Sequence, residues 1–320
     1  MKLLLIGGTG TISAHTHAAL VDKGHEVTLF KRTGPGPGVV IGDRKDRGAV
    51  AEAIATVRPD VLIDFVCFNP EDAAALADAA SGKVGQLVFV STVDAFGFPQ
   101  PVPIAESAAR RPGIGAYAQA KQACEDLLLS RRDLKVTVAR PTYSMSEKFV
   151  ISLFNHQSVA LMQRLHRGEP VVLTDGGTIL IHPSDSRDTG RMIAAMAGAP
   201  QAIGKTYTAG SRGVAMPQRA YVELIASVVG GNVNAVEIPL VAIDAMRLPD
   251  AVNTVFSNVT RFDLDFSFDQ FTADFPGFVW QPDLKWQIGA YTARVKRDGL
   301  LDRPLVADLE GSILSKWLAR

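Results

Sequence analysis

The sequence predicts an α/β fold built on a doubly wound parallel sheet with a smaller C-terminal lobe. Short apolar runs rich in Val, Leu and Ile alternate with helix-like stretches through the first 140 residues. Those runs lack the polar alternation of strands with one solvated face, so both faces of the sheet are expected to be covered. A glycine cluster also follows the first apolar run directly, in LLLIGGTG at 3–10. Strands that alternate with helices in this way are typical of a parallel sheet.

The elements of this first part follow one another in a regular order. The predicted ranges are strand 3–6, helix 16–24, strands 26–30 and 39–41, helix 46–57, strand 61–66, helix 70–81, strand 86–91, helix 117–130 and strand 135–140. Pro59 and Pro70 stand just outside a strand and a helix, where a missing backbone donor is tolerated. The tract TGPGPG at 33–38 is a loop by composition.

The rhythm changes after Pro141, so we divide the chain into a first domain over 1–145 and a mixed lobe over 146–320. Within the lobe, 146–168 and 186–198 have helical patterns, and 171–177 and 178–183 contain short strands. Part of the lobe, about 178–200, is expected to pack back on the first domain. The aromatic residues of the lobe are assigned to its core rather than to a sugar-stacking platform. They are Trp280, Trp286 and the phenylalanines between 264 and 278.

Composition and charge favour a small-molecule partner. Thirty-three Lys and Arg residues balance thirty-three Asp and Glu residues, so the basic footprint of a nucleic-acid binder is missing. The two cysteines have no CxxC spacing, so we expect neither a disulfide framework nor a metal site. The apolar runs are too short for a signal peptide or a membrane span. We therefore expect a cytoplasmic protein with no membrane partner.

Gly7, Gly8 and Gly10 stand between the first strand and the first helix. There a glycine-rich turn lets backbone N–H groups meet a pyrophosphate at a helix N-terminus, because a Cβ would keep the phosphate away. The last position of the G-x-x-G-x-x-G form is Ser13, whose hydroxymethyl group must fit where the helix packs closely. The alternative is a plain tight turn. The position within a βαβ unit favours a dinucleotide site, which makes 1–145 a Rossmann domain.

A basic pair, Lys31 and Arg32, ends the second strand. NAD enzymes place a carboxylate there for the free ribose 2′-hydroxyl, whereas two cations attract a 2′-phosphate. We therefore expect NADP rather than NAD, against the alternative of a solvated strand end. Asp43, in the turn IGDRKD, either reaches the adenine amine or simply forms the turn.

Tyr117 and Lys121 lie four residues apart on a predicted helix and hence on one face. A nearby ammonium together with an oxidised nicotinamide stabilises a phenolate, so Lys121 is expected to lower the pKa of the Tyr117 phenol. Thr92 ends the strand QLVFVST, and its hydroxyl can hold a substrate oxygen while the proton moves. We predict that these three residues are catalytic.

Several ordered motifs now resemble one family, the extended short-chain dehydrogenase/reductases that include NAD(P)-dependent nucleotide-sugar epimerases and dehydratases. They are GGTGTISAHT, GDRKD, STVDAFG, YAQAK with Glu125, ARP at 139–141 and IHPSDSRD at 181–188. The resemblance implies that Thr92 and Tyr117 handle the substrate oxygen. The cofactor contacts that these motifs imply are Gly7, Gly10, Thr11, Ile12, Lys31, Arg32, Asp43, Arg44 and Lys121. Asp94 occupies a place where dehydratases of the family keep an acid, and it either protonates a leaving hydroxyl or is a solvated loop carboxylate.

The chain departs from the family in three places. Members that handle nucleotide sugars often carry an asparagine after the Arg-Pro pair and an arginine before the His-Val motif, where this chain has RPTYSM and GGTILIHP. Thr142, Tyr143 and Thr178 cannot supply a guanidinium, so pyrophosphate binding comes from elsewhere or the substrate has none. Val66 and Cys67 replace a common alanine-glycine turn and are expected to narrow the nicotinamide end of the cleft.

These observations together predict an oxidoreductase that moves hydride between a nicotinamide and a carbinol or ketone carbon of a sugar or other small hydroxylated metabolite. The net reaction, whether epimerisation, dehydration or reduction, stays open. A rival is a cofactor-sensing or RNA-binding relative, which the neutral charge and the complete Thr, Tyr and Lys set disfavour. His156, His166 and His182 have no second ligand at metal spacing. Alanine-rich helices in the first domain permit a homodimer.

Overall fold

A seven-stranded parallel sheet forms the centre of the computed structural model, which describes residues 1–154, 159–248, 254–305 and 308–319. The first half contributes β1 (Lys2–Ile6), α1 (Ser13–Asp22), β2 (Glu26–Lys31), β3 (Val39–Ile41), α2 (Arg47–Val57), β4 (Val61–Asp64), α3 (Pro70–Ala80), β5 (Gln86–Val90), α4 (Gly115–Ser130) and β6 (Val136–Pro141). The second half contributes β7 (Tyr143–Met145), α5 (Val159–Arg167), β8 (Pro170–Thr174), β9 (Leu180–Ile181), β10 (Pro183–Asp185), α6 (Ser186–Met196), β11 (Thr206–Ala209), β12 (Met216–Pro217), α7 (Gln218–Val229), β13 (Asn234–Ile238), α8 (Leu240–Ala245), α9 (Asp269–Asp274), α10 (Leu284–Arg297) and α11 (Leu309–Leu318).

The strand order of the sheet is β11-β6-β5-β4-β1-β2-β3, which confirms the predicted doubly wound fold. Alternate residues of β1 face opposite layers: Leu3 and Leu5 pack in the core that contains α1 and α6, whereas Leu4 and Ile6 pack in the core that contains α2, α3 and α4. The sequence of β1 is therefore apolar from Leu3 to Ile6, because both of its faces are covered there. The order reverses between β1 and β4, and ligands bind at such a switch point, beyond the carboxyl ends of the strands.

The part of the lobe that returns to the sheet is longer than the 178–200 that we expected. Helix α6 packs on α1, and Gly190 permits the approach, since a Cβ there would lie 2.7 Å from the backbone nitrogen of Thr16. Strand β11 then pairs with β6 and becomes the edge of the central sheet. Residues 206–209 therefore belong structurally to the first domain, because they complete its sheet.

The phenylalanines of the aromatic stretch pack in a core as predicted, but in a different one, whereas Trp286 is 49% exposed and its assignment to a core is wrong. Phe266, Phe268 and Phe271 pack in the cluster that contains Leu3 and Leu5, on the α1 and α6 side of the sheet. Trp280 joins them and donates a hydrogen bond from Nε1 to the Gly210 carbonyl at 3.0 Å. Our assignment of these residues to the core of the lobe is therefore wrong, because the chain crosses back to the sheet before α10.

The helical prediction over 146–168 is correct only for its second half. Strand β7 pairs with β10, and Ser146 and Phe149 then close a tight turn through two mutual backbone hydrogen bonds of 2.8 and 3.1 Å. Helix α5 spans Val159–Arg167, and residues 155–158, with His156 among them, lie outside the described residues. The turn departs from the local helical pattern because tertiary contacts hold it against the glycine-rich loop.

Candidate active site

Two adjoining cavities of about 780 and 770 Å³ lie at the carboxyl ends of the central strands. They share Gly7, Gly10, Val66 and Phe68, so they form one continuous cleft across the glycine-rich loop. Every site residue predicted from the sequence lines this cleft. The first cavity contains Gly7, Gly10, Thr11, Ile12, Thr92, Asp94, Tyr117 and Lys121, and the second contains Lys31, Arg32, Asp43 and Arg44.

The glycine-rich loop has the shape of a phosphate cradle. Gly7 has a φ of +86°, and a Cβ on it would lie only 2.7 Å from Cγ1 of Val66. Within the described chain, no side chain caps the N-terminus of α1, which begins at Ser13 beside the cleft. Backbone N–H groups at such a helix start favour an anion. The loop therefore fits the pyrophosphate of a dinucleotide.

Ser13, which replaces the third glycine of the motif, ties the loop together. Its hydroxyl donates to the Gly7 carbonyl at 2.7 Å and accepts from the Gly10 N–H at 2.8 Å. The hydroxymethyl group that we expected only to be accommodated is therefore a structural link between the two ends of the loop.

Ser13→Ala should loosen this loop, because the Gly10 N–H would lose its side-chain partner and the Gly7 carbonyl would keep only the Thr9 N–H, at 3.0 Å. We expect a loss of about 1–3 kcal/mol in the free energy of unfolding, measured by urea denaturation, and weaker binding of the dinucleotide. Ser130→Ala is the matched control, since that exposed hydroxyl contacts only the Leu127 carbonyl of its own helix. Equal effects of the two substitutions would contradict a special role for Ser13.

The second cavity carries the basic strand end. Lys31 and Arg32 lie on its wall, with Arg32 exposed and Lys31 half-buried. Asp43 accepts a hydrogen bond from the Lys45 N–H at 2.9 Å, so it forms the turn and also faces the cavity. The guanidinium of Arg44 is committed elsewhere: Nε contacts Asp64 at 3.0 Å in a buried ion pair. Arg44 therefore forms part of the cavity wall, and its charge is paired with Asp64 rather than available to a ligand.

The three predicted catalytic residues meet in the first cavity. Thr92 follows β5 and caps a short 3-10 turn, where its hydroxyl accepts from the Asp94 N–H at 3.2 Å. Tyr117 projects from the first turn of α4 and is about half exposed, 6.3 Å from Phe68 between ring centroids. Lys121 is fully buried one turn later, where its Nζ donates to the Val90 carbonyl at 2.8 Å.

The electrostatics of Tyr117 differ from our expectation. Desolvation of the phenol and the charge of Asp94 together raise the pKa of Tyr117 to about 12, although the hydrogen bond with the Thr92 hydroxyl lowers it in part. We expected Lys121 to lower the pKa of this phenol, and it does not. Its ammonium instead donates to the Val90 carbonyl and lies near the rings of Phe68 and Phe89. The phenol of Tyr117 is protonated at neutral pH.

Tyr143 belongs to the site, although the sequence predicted no role for it beyond the absence of an asparagine and a guanidinium in that neighbourhood. Its hydroxyl donates a hydrogen bond to Oδ1 of Asp94. Burial and the Asp94 charge raise the pKa of Tyr143 well above its usual value, with a smaller contribution from Tyr117. Asp94 thus lies beside two phenols rather than in solvent. The only signal in the sequence is that Tyr143 follows the carboxyl end of β6.

The lobe reaches the glycine-rich loop through the turn at 146–149. Nζ of Lys148 donates to the Thr9 carbonyl at 3.0 Å, and the buried Ser146 hydroxyl donates to Oγ1 of Thr11 at 3.4 Å. Arg294 on α10 donates to the Lys148 carbonyl at 3.2 Å and supports the turn from the other side. The sequence does not predict this contact between the turn and the loop, because residues 146–168 have the pattern of one helix.

Two conspicuous residues of the sequence motifs serve the structure. Arg140, of the ARP motif, forms a buried two-point ion pair with Glu125, with distances of 3.0 and 2.6 Å. His182 is buried and contacts the Ser211 carbonyl at 2.8 Å. Across the described ranges, no cluster of three or more His, Cys, Asp or Glu side chains could hold a metal ion. The described helices include none long and apolar enough to cross a membrane.

Comparison with known proteins gives a family match that covers the sheet and cleft. The model for the NAD dependent epimerase/dehydratase family matches residues 3–210. A UDP-glucose 4-epimerase of Rhizobium meliloti (strain 1021) is 27% identical over 151 residues, which are 40% of this chain and 46% of the relative. A 2′-dehydrokanamycin reductase of Streptomyces kanamyceticus is 25% identical over 254 residues, 75% of this chain and 70% of the relative. The chain thus matches about half the length of the epimerase.

Solved structures show the same fold over nearly the whole chain. A short-chain dehydrogenase/reductase superfamily protein from Agrobacterium tumefaciens, with bound NAD, has a TM-score of 0.70 at 19% identity and covers 95% of this chain and 100% of its own. A UDP-glucose 4-epimerase from Thermotoga maritima, with UDP-glucose, has a TM-score of 0.70 at 16% identity, over 93% of this chain and 99% of its own. At these identities the likeness concerns the fold alone.

Proposed function

The chain belongs to the NAD-dependent epimerase/dehydratase family, and on that premise we propose that it moves hydride between a nicotinamide and a carbinol or ketone carbon. The substrate is a sugar or another small hydroxylated metabolite. The observation that carries the proposal is that Thr92, Tyr117 and Lys121 line the same cavity as Gly7 and Gly10 of the loop. A proton relay and a dinucleotide cradle thus share one space.

The side chains have separate tasks in this proposal. A bound nicotinamide supplies or accepts hydride. The hydroxyls of Thr92 and Tyr117 hold the substrate oxygen, and Tyr117 gives its proton to that oxygen when a carbonyl is reduced. Because the pKa of Tyr117 is raised to about 12, the phenol carries the proton that reduction requires. Lys121, fixed beneath the phenol, holds the nicotinamide ribose.

We propose NADP as the preferred cofactor. Lys31 and Arg32 line the adenosine end of the cleft, where a 2′-phosphate would lie beyond the end of β2. The neighbouring Arg44 is occupied by Asp64, so the preference depends on the pair at 31 and 32. Since Arg32 is exposed, solvent screening limits its contribution, and the two cations act together.

The double variant Lys31→Ala with Arg32→Ala should raise the Kd for NADP by about 10- to 100-fold and leave the Kd for NAD nearly unchanged. Only the 2′-phosphate distinguishes the two cofactors, so the ratio of the two constants, measured by isothermal titration calorimetry, isolates its contribution. Lys45→Ala, on the wall of the same cavity, serves as a control for a general loss of positive charge. Equal losses for both cofactors in the double variant would contradict the preference.

Isotope transfer tests the reaction itself. The full chain is incubated with the reduced nicotinamide cofactor, deuterated at C4, and a set of keto compounds, and the masses of the products are measured by mass spectrometry. We expect deuterium to appear on a carbinol carbon of at least one compound. If no cofactor co-purifies, binding of the dinucleotide without transfer to any compound would contradict catalysis and favour a cofactor sensor. A cofactor that co-purifies in oxidised form would indicate an internal redox cycle, as in epimerisation.

A further inference from the structure

The substrate end of the first cavity is poor in positive charge. Beyond Tyr117 its wall is apolar or bears neutral polar groups, namely Phe65, Thr142, Tyr143, Ser144, Phe149, Thr254, Val255, Asn258 and Val259. Among the lining residues within the described ranges, the only cation is Lys121 and the only carboxylate is Asp94. The side chains that face a substrate therefore include one negative charge and many hydroxyl groups.

Lys121 is not placed to bind a substrate anion. It is only 1% exposed, its Nζ donates to the Val90 carbonyl, and the rings of Phe68 and Phe89 lie 4.9 and 4.8 Å from it. In the proposed function this ammonium faces the cofactor. To pair with a phosphate at the substrate end, the Lys121 ammonium would have to leave the Val90 carbonyl and the two aromatic rings.

Two arginines of the described chain that are close in sequence to lining residues are paired with carboxylates. Arg140, which precedes Pro141, is paired with Glu125, and Arg261, which follows Val259, is paired with Asp244 at 2.7 Å. Lys148 is held on the Thr9 carbonyl, over the loop that would receive the pyrophosphate of the cofactor. The segments 155–158 and 249–253, read from the sequence as NHQS and PDAVN, contain no lysine or arginine.

A diphosphate requires cations or several convergent N–H donors once it leaves water, because an unpaired buried charge is costly. The carboxylate of Asp94 would add repulsion at short range. Substrate hydroxyl groups instead find a carboxylate acceptor on Asp94 and an amide on Asn258, while the aromatic walls suit the apolar face of a ring.

We infer that the substrate is a phosphate-free polyol or its ketone with no negative charge, and not a nucleotide sugar. The inference rests on the proposed function, since it names the substrate class of the same site. It separates this chain from the structural relative that holds UDP-glucose, and it resolves the alternative that the sequence left open between a rerouted pyrophosphate and none.

Titration of the full chain, saturated with NADP, tests the inference. UDP and UDP-glucose are added in isothermal titration calorimetry, with glucose and glucosamine as the phosphate-free counterparts in saturation-transfer NMR. We expect no heat from UDP or UDP-glucose, which corresponds to a Kd above about 1 mM. A Kd for UDP of about 10 μM or lower overturns the inference.

Tyr143→Arg adds a cation to the wall without replacing a predicted relay residue. We expect this variant to bind UDP at least tenfold more tightly than the parent chain, since the guanidinium would lie beside Asp94 at the substrate end. If the parent chain and the variant both bind UDP with a Kd of about 10 μM or lower, the inference is overturned.

The two proposals fail in different ways. Deuterium transfer to a UDP-sugar would overturn the inference on the substrate and leave the proposed oxidoreductase intact. Transfer to phosphate-free compounds alone supports both. Dinucleotide binding without transfer to any compound contradicts the proposed function, and the UDP titration still decides whether the cavity accepts a diphosphate.

Discussion

Tyr117→Phe should lower kcat by about 10²- to 10⁴-fold and leave the affinity for the dinucleotide nearly unchanged. The substitution removes only the hydroxyl that gives and receives the substrate proton. The ring stays beside Phe68 at the mouth of the cavity, and Tyr117 is half exposed, so the fold loses little. Steady-state kinetics with the first compound that accepts deuterium, together with calorimetric titration of the cofactor, measures both quantities.

Tyr207→Phe is the matched control for this change. Its hydroxyl contacts Asp274 at 2.6 Å on the edge strand β11, outside the cleft residues. We expect a loss of about 1 kcal/mol in stability and an unchanged kcat. A Tyr117→Phe enzyme that retains the parent kcat would remove Tyr117 from the proton relay.

Lys121→Met should lower kcat/KM by about 100-fold or more and also weaken dinucleotide binding, which separates it from Tyr117→Phe. Lys121 is proposed to hold the nicotinamide ribose, so its loss affects both binding and the placement of the reacting carbon. The methionine side chain fits among Phe68 and Phe89, but the substitution removes the buried hydrogen bond from Nζ to the Val90 carbonyl, so we also expect a loss of about 1–3 kcal/mol in the free energy of unfolding.

Lys135→Met provides the comparison, since Lys135 is exposed before β6 and far from the cleft lining. That variant should match the parent chain in kcat, in KM and in the Kd for the dinucleotide. If Lys121→Met lowers kcat while the Kd for the dinucleotide stays at the parent value, the assignment of Lys121 to the ribose is contradicted.

The central sheet could be predicted because the apolar strands and the glycine-rich loop both indicate the same parallel arrangement. The strands β1, β4 and β5 are buried on both faces, so each contains a run of three or four consecutive apolar residues that indicates a buried strand directly. The glycine-rich loop follows β1 at once, and a positive φ at Gly7 leaves a signal that only glycine satisfies easily. The return of β11 to the sheet has no such signal, since strand pairing between β6 and β11 is a long-range property.

The site could be predicted wherever a motif fixes spacing on one element or at a strand end. Tyr117 and Lys121 share one helix, and Thr92 follows a strand that ends at the same edge of the sheet. The contacts between side chains of different elements could not be predicted, because they leave no local pattern in the sequence. They include the bond from Tyr143 to Asp94, the link from Lys148 to Thr9 and the bridge from Ser13 to Gly7 and Gly10.

The phenol pKa shows the limit of reasoning from spacing. A four-residue interval places the Lys121 ammonium near Tyr117, but the direction in which the ammonium points depends on the Val90 carbonyl and two aromatic rings. Asp94 approaches the same phenol from a different loop and raises its pKa. The pKa of a site residue thus depends on neighbours that are distant from it in the sequence.

A crystal structure of the chain grown with NADP is the most direct test of the account. We predict the pyrophosphate at the N-terminus of α1 over Gly7 and Gly10, the 2′-phosphate beside Lys31 and Arg32, and the nicotinamide ring facing the hydroxyl of Tyr117. A dinucleotide bound outside this cleft, or a Tyr117 side chain turned away from the ring, would contradict it.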